Sequence, residues 1–194
     1  MVIIYEKEII KMKKLLVVLL ALCLFALPVM AQTQDQPQEI TWAELEESFV
    51  ETGYKGAFWN FPSLGISMLI PGGLDQTELS QEAVDSGFVD IFTTEDESVA
   101  VMISYRDLGC ETLAEVEELV TENLENAKIL GYYTLNGLGS LMFLNPDNDD
   151  LTVAIGTTEP GYFIQVSIKP ISNEEINSLS GFIFGSIMPM SEEE

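Results

Sequence analysis

The densest run of candidate ligand atoms in this chain is Asn145-Pro146-Asp147-Asn148-Asp149-Asp150. Closely spaced carboxylate oxygens suit Ca2+, a hard cation that prefers oxygen donors, so Asp147, Asp149 and Asp150 are the candidate metal ligands. Counted from Asp147, the loop departs from the EF-hand template: Leu151 stands at the fifth position, Thr152 rather than Gly at the sixth, and Thr158 rather than Glu at the twelfth. The competing reading is structural, because Asn and Asp are the residues that turn a chain between two strands. Thr94-Glu95-Asp96-Glu97 has the same character and reads as a solvated turn.

Catalytic chemistry has little to work with. The whole chain contains no histidine, which removes Ser-His-Asp and Cys-His catalysis, imidazole zinc sites and the usual neutral-pH proton shuttle. Among so many acids some pair can always lie at glycosidase spacing, but no pair stands out, and a carboxylate-dependent hydrolase is the weakest function class. Cys110 precedes a helix, where a thiolate is favoured. Glu111 opposes that and no base is at hand, so it reads as an inert thiol. One further cluster draws notice: Gly56-Ala-Phe-Trp-Asn-Phe-Pro62. Alternation puts Trp59 and Phe61 on one face and Phe58 and Asn60 on the other. Core packing is the plain account of it. The functional account makes Trp59 and Phe61, with the nearby Gly72-Gly73 loop, a surface for a partner or ligand.

These residues need positioning by elements the pattern supplies. Thr41 and Glu44 form a capping box that opens a helix closed by Gly53. Strands are expected at 65–71, 88–94 and 99–106, followed by a helix over 112–126 with Leu113, Val116, Val120 and Leu124 as its apolar stripe. Asn136-Gly137 is the strongest hairpin signal, joining 129–135 to 138–144. A further hairpin joins 151–157 to 162–169, and Ser172 to Glu175 read as a second capping box, opening a helix that ends before Pro189. Hairpins outnumber crossovers, so the sheet should be mainly antiparallel. Both faces of several strands are apolar: Leu130, Tyr132, Leu141 and Phe143 lie opposite Ile129, Tyr133, Leu138 and Met142. The fold class expected is α+β, a three-layer α/β/α sandwich around one mainly antiparallel sheet of about seven strands.

That order of elements resembles the PsbP/Mog1/DcrB-like group across residues 54 to 189. The similarity rests on Gly65-Ile-Ser-Met-Leu-Ile-Pro71 and on the closing Phe182-Ile-Phe-Gly-Ser-Ile187. Where an aromatic often follows the proline in that group, this chain has Gly72-Gly73-Leu74. The group includes photosystem-associated and small-GTPase-binding proteins, so the resemblance implies a non-enzymatic binding or accessory domain and carries over no site residues.

Residues 12–31 read as a bacterial secretory signal: Lys13-Lys14, an apolar core from Leu15 to Leu27, a break at Pro28 and a Val29-x-Ala31 cleavage site. Met12 is then a candidate true start, and residues 1–31 are the signal segment. At 16 residues, Leu15–Met30 is short for a span of about 20, so an uncleaved anchor is the less favoured reading. So is a lipoprotein, because bulky Leu22 precedes Cys23. Removal of residues 1–31 leaves 163 residues with four basic groups and 30 acids, a formal charge of −26. Residues 32–40 are expected to be a disordered polar lead, 41–189 a single domain and 190–194 an acidic tail. With Cys23 gone, Cys110 has no intramolecular disulfide partner.

Such a charge repels nucleic acid and anionic membranes. The expected role is a secreted, extracytoplasmic, non-catalytic binding or accessory protein, not an enzyme and without a cofactor. It would not stay inserted in a membrane after signal cleavage, and its partner would be an envelope protein or a cationic ligand. The alternative is a Ca2+-responsive extracellular module.

Overall fold

Asn136-Gly137 makes the tight turn its sequence demands: both residues have positive φ, 47° and 88°, the pairing that suits a right-twisted hairpin. The same logic repeats along the chain. The computed structural model describes residues 37–190. In order, its elements are β1 (Gln38–Ile40), α1 (Trp42–Thr52), β2 (Gly56–Phe61), β3 (Ile66–Pro71), β4 (Asp75–Gln76) and α2 (Gln81–Asp85). Then come β5 (Phe88–Thr93), β6 (Ala100–Cys110), α3 (Leu113–Asn123), β7 (Lys128–Leu135), β8 (Leu138–Asn145) and β9 (Asp150–Gly156). The chain closes with β10 (Gly161–Lys169), α4 (Glu174–Gly185) and β11 (Met188–Pro189). The signal segment, residues 32–36 of the lead and residues 191–194 of the tail lie outside the described residues.

The fold is α+β, as expected. Eight strands form one sheet in the order β1-β7-β8-β9-β10-β6-β5-β4, antiparallel throughout except where β1 runs parallel to β7. On one face lies α3, whose Val116 and Val120 pack on Leu141, Phe143, Ala154 and Phe163. Burying a valine of this kind stabilises by about 1.5–3 kcal/mol. On the other face Ile103, Val153, Ile155 and Val166 meet α4 and a second, three-stranded sheet, β11-β3-β2. Helix α1 stacks outside α4, with Phe49 and Phe182 edge to face at 5.5 Å.

Four details differ from the sequence expectation. The second sheet exists because Gly56–Phe61 is a strand, although its run of aromatics without an alternating polar face hides it. The polar lead gives way sooner: Gln38–Ile40 pairs with β7 and buries Ile40. At α4 the N-cap is Asn173, whose Oδ1 accepts from the amides of Glu175 (3.0 Å) and Ile176 (3.3 Å), while Ser172 is engaged elsewhere. Finally, β7 is bulged between Ile129 and Gly131. An extra residue moves a side chain to the other face of the sheet. Ile129 therefore joins Tyr132, Leu141 and Phe143 against α3, and Leu130 turns away from them to the α4 side.

Candidate functional site

The side of α4 that carries Asn177, Ser178 and Ser180 does not close on the sheet. An open recess of about 350 Å3 remains between this side and the ends of β7, β8 and β9. Its floor is apolar: Leu130, Leu144, Leu151 and Ile171. Leu130, freed by the bulge, is 41% exposed. The end wall is the loop between β8 and β9, held by Asp149. That residue sits at φ 54°; its backbone oxygen accepts from the amide of Ile171 at 2.9 Å, and its carboxylate accepts from the amide of Ser172 at 2.9 Å and from the Ser172 hydroxyl. The helix wall is polar. Ser178 donates to the Glu174 carbonyl at 2.8 Å and Ser180 to the Asn177 carbonyl at 2.6 Å, which leaves both hydroxyl oxygens with lone pairs to offer. Apolar floor and polar rim together suit an amphiphilic ligand, and the volume lies within the roughly 300–1,000 Å3 typical of small-molecule sites.

A smaller recess of about 240 Å3 lies where α4 begins, bounded by Pro71, Gly72, Gly73, Leu74, Asn173 and Ile176. Gly72 is fixed there by its amide, which donates to the Lys55 carbonyl at 2.8 Å.

The sequence-derived candidates divide between these places. Gly72 and Gly73 line the smaller recess. Trp59 and Phe61 share a face as alternation requires, and both pack on Phe92, at 4.8 Å and 6.3 Å between ring centres. Phe61 is buried and Trp59 is 38% exposed. The three candidate Ca2+ ligands turn to three different partners. Asp147 accepts from Asn126 Nδ2 at 3.0 Å and 3.1 Å, Asp149 holds Ser172, and Asp150 accepts from Thr152 at 3.3 Å. Burial raises the pKa of Asp150. Among the described residues no group of three or more Asp, Glu, Cys or His side chains is gathered closely enough to hold a metal ion.

Cys110 ends β6 and is buried. Burial, reinforced by Glu115, Asp107 and Glu118, raises its pKa, so the thiol is protonated and unreactive at neutral pH. Asp96 is the reverse. The hydroxyls of Ser98 and Thr94 donate to it at 2.7 Å each and, with the Ser98 amide, hold it down at a pKa of about 2. This is a turn-stabilising network at the tip of the β5–β6 hairpin.

Sequence reasoning missed Leu130, Ile171 and Ser178. Leu130 carried a signal only through the glycine that follows it, a residue suited to a bulge. Ile171 and Ser178 have meaning only beside strands that lie far from them in sequence.

The fold resembles that of cyanobacterial PsbP from Synechocystis sp. PCC 6803, with a TM-score of 0.48 and 14% identity over 69% of this chain and 92% of that one. It also resembles a protein of Bacteroides thetaiotaomicron VPI-5482, with a TM-score of 0.44 and 14% identity over 72% of this chain and 50% of that one. These are likenesses of fold. No protein-family model and no curated protein matches the chain.

Proposed function

We propose that this chain is a non-catalytic, extracytoplasmic binding protein whose ligand is a small amphiphile with an apolar body and a cationic or hydrogen-bonding head. The observation that carries the reading is the recess beside α4: an apolar floor of Leu130, Leu144, Leu151 and Ile171 beneath a rim of Asn177, Ser178 and the Asp149 wall. The chain's formal charge of −24 favours a cationic head over an anionic one. Export is supported by the pattern of residues 12–31, and the absence of histidine from the chain supports binding over catalysis.

Calorimetric titration with n-octylamine, n-octanol and octanoate tests this reading. Octylamine is expected to bind more tightly than octanoate at low salt. Ser178→Phe sets an aromatic ring across the mouth of the recess at a half-buried helix position and is expected to weaken octylamine binding at least tenfold, about 1.4 kcal/mol. Equal binding by the wild type and Ser178→Phe would remove the recess from the account.

A further inference from the structure

Among the described residues the two sheets have four free edges, and three of them are blunted. β1 is three residues long and carries Glu39; β4 is two residues long and carries Asp75; β11 is two residues long and ends in Pro189. Shortness, charge and proline are the devices that stop an edge strand from pairing with another chain. β2 has none of them. It runs for six uncharged residues, Gly-Ala-Phe-Trp-Asn-Phe; Gly56, Ala57 and Asn60 are exposed, and Phe58 and Trp59 keep an exposed part while packing on Trp42 and Phe92. The acid-free stretch around it runs from Thr52 to Leu74, 23 residues whose only charge is Lys55, in a chain with 32 acids among 194 residues.

The backbone of this edge is available. Gly72 donates to Lys55 across the β2–β3 pair, which sets the phase of the ladder: Ala57, Trp59 and Phe61 bond to β3, and the N–H and C=O groups of Phe58 and Asn60 point outward. The amide of Leu69, opposite Phe58, likewise points away from β2, to Ser186 Oγ at 2.8 Å.

We infer that β2 is a homodimer interface, pairing antiparallel with β2 of a second copy of this chain about a two-fold axis through Phe58. In that register outward-facing groups meet outward-facing groups. Phe58 lies against its own counterpart, Gly56 against Asn60, and small Ala57 against large Trp59 at both ends, a self-complementary arrangement. The acid-free strand fits a second copy, because two strongly negative chains repel least where the paired strands themselves bring no carboxylate to the contact. A two-fold contact uses the same strand in both copies, so assembly stops at two.

Sedimentation of the purified protein, with amide hydrogen exchange at rising concentration, tests the interface. A reversible monomer–dimer equilibrium is expected, strengthened by salt as screening weakens the repulsion between the two bodies. The amides of Phe58 and Asn60 should gain protection with concentration, while that of Trp59, already bonded to β3, should not change. Phe58→Lys and Phe58→Glu each place like charges face to face on the axis. Each alone should be monomeric with an unaltered circular dichroism spectrum, and an equimolar mixture should recover the dimer. A wild type that stays monomeric at every concentration, dimers indifferent to these variants, a mixture that does not pair, or open-ended assemblies would overturn the inference.

Discussion

Two polar side chains do more for this fold than their surface positions suggest. Asn136 occupies the left-handed position of the β7–β8 turn, and its amide side chain ties three elements together. Its Oδ1 accepts from the Trp42 amide at 2.7 Å, and its Nδ2 donates to the carbonyls of Gly185 and Ile187 at 2.8 Å each. Asn136→Gly keeps the backbone conformation and loses those bonds. Asn136→Ala loses both, so urea unfolding should rank wild type above Gly above Ala, with the last step about 1–2 kcal/mol. Asp96 supplies a pH-dependent contribution. Its folded pKa, about 2, lies below the ordinary aspartate value of 3.8, so the unfolded chain binds more protons between those values and stability rises with pH there. The contribution is complete above pH 4 and lost as pH falls through 2. Acid titration of Asp96→Asn should show a flatter stability profile across that window than the wild type. An unchanged slope would mean that the Ser98 and Thr94 bonds contribute nothing in solution.

At the scale of elements, the packing of α4 decides whether a recess exists. Its C-terminal half is buried from Leu179 to Gly185, and α1 crosses it so closely that a Cβ on Gly185 would overlap Leu45 Cδ1 and press on Ile40 Cγ2. Gly185→Ala should therefore destabilise by about 1–3 kcal/mol, the usual cost of overpacking, read as a lowered melting temperature. The N-terminal half of α4 stands off the sheet, held at its start by Asn173 and by the Asp149–Ser172 contact, and the two recesses open beside it. Much of this was legible in advance where chemistry is local. Asn136-Gly137 specified its turn, Thr112 and Glu115 their capping box, and Val116 and Val120 the face that α3 buries. What was not legible depends on partners remote in sequence. The bulge that reverses Leu130 is one case, the strand hidden in an aromatic run at 56–61 is another, and the assignment of Ser172 to Asp149 instead of a capping box is a third.

For the whole molecule, charge sets the terms. Because Asp147, Asp149 and Asp150 are each committed to a separate partner, millimolar Ca2+ at matched ionic strength should leave the melting temperature where an equivalent concentration of Mg2+ leaves it. A saturable rise specific to Ca2+, about 2.7 kcal/mol at a hundredfold excess over Kd, would restore the loop as a metal site. Intact mass of the protein recovered from its producing cells tests the proposed export: cleavage after Ala31 is expected, whereas lipidation at Cys23 or an uncut chain would give a different mass. Backbone amide resonances followed during titration with n-octylamine test whether the domain takes an amphiphile beside α4, as proposed. Saturable shifts confined to Leu130, Leu144, Leu151, Ile171 and Ser178 are the predicted result. Shifts scattered over the acidic surface, or none at saturating ligand, would contradict it.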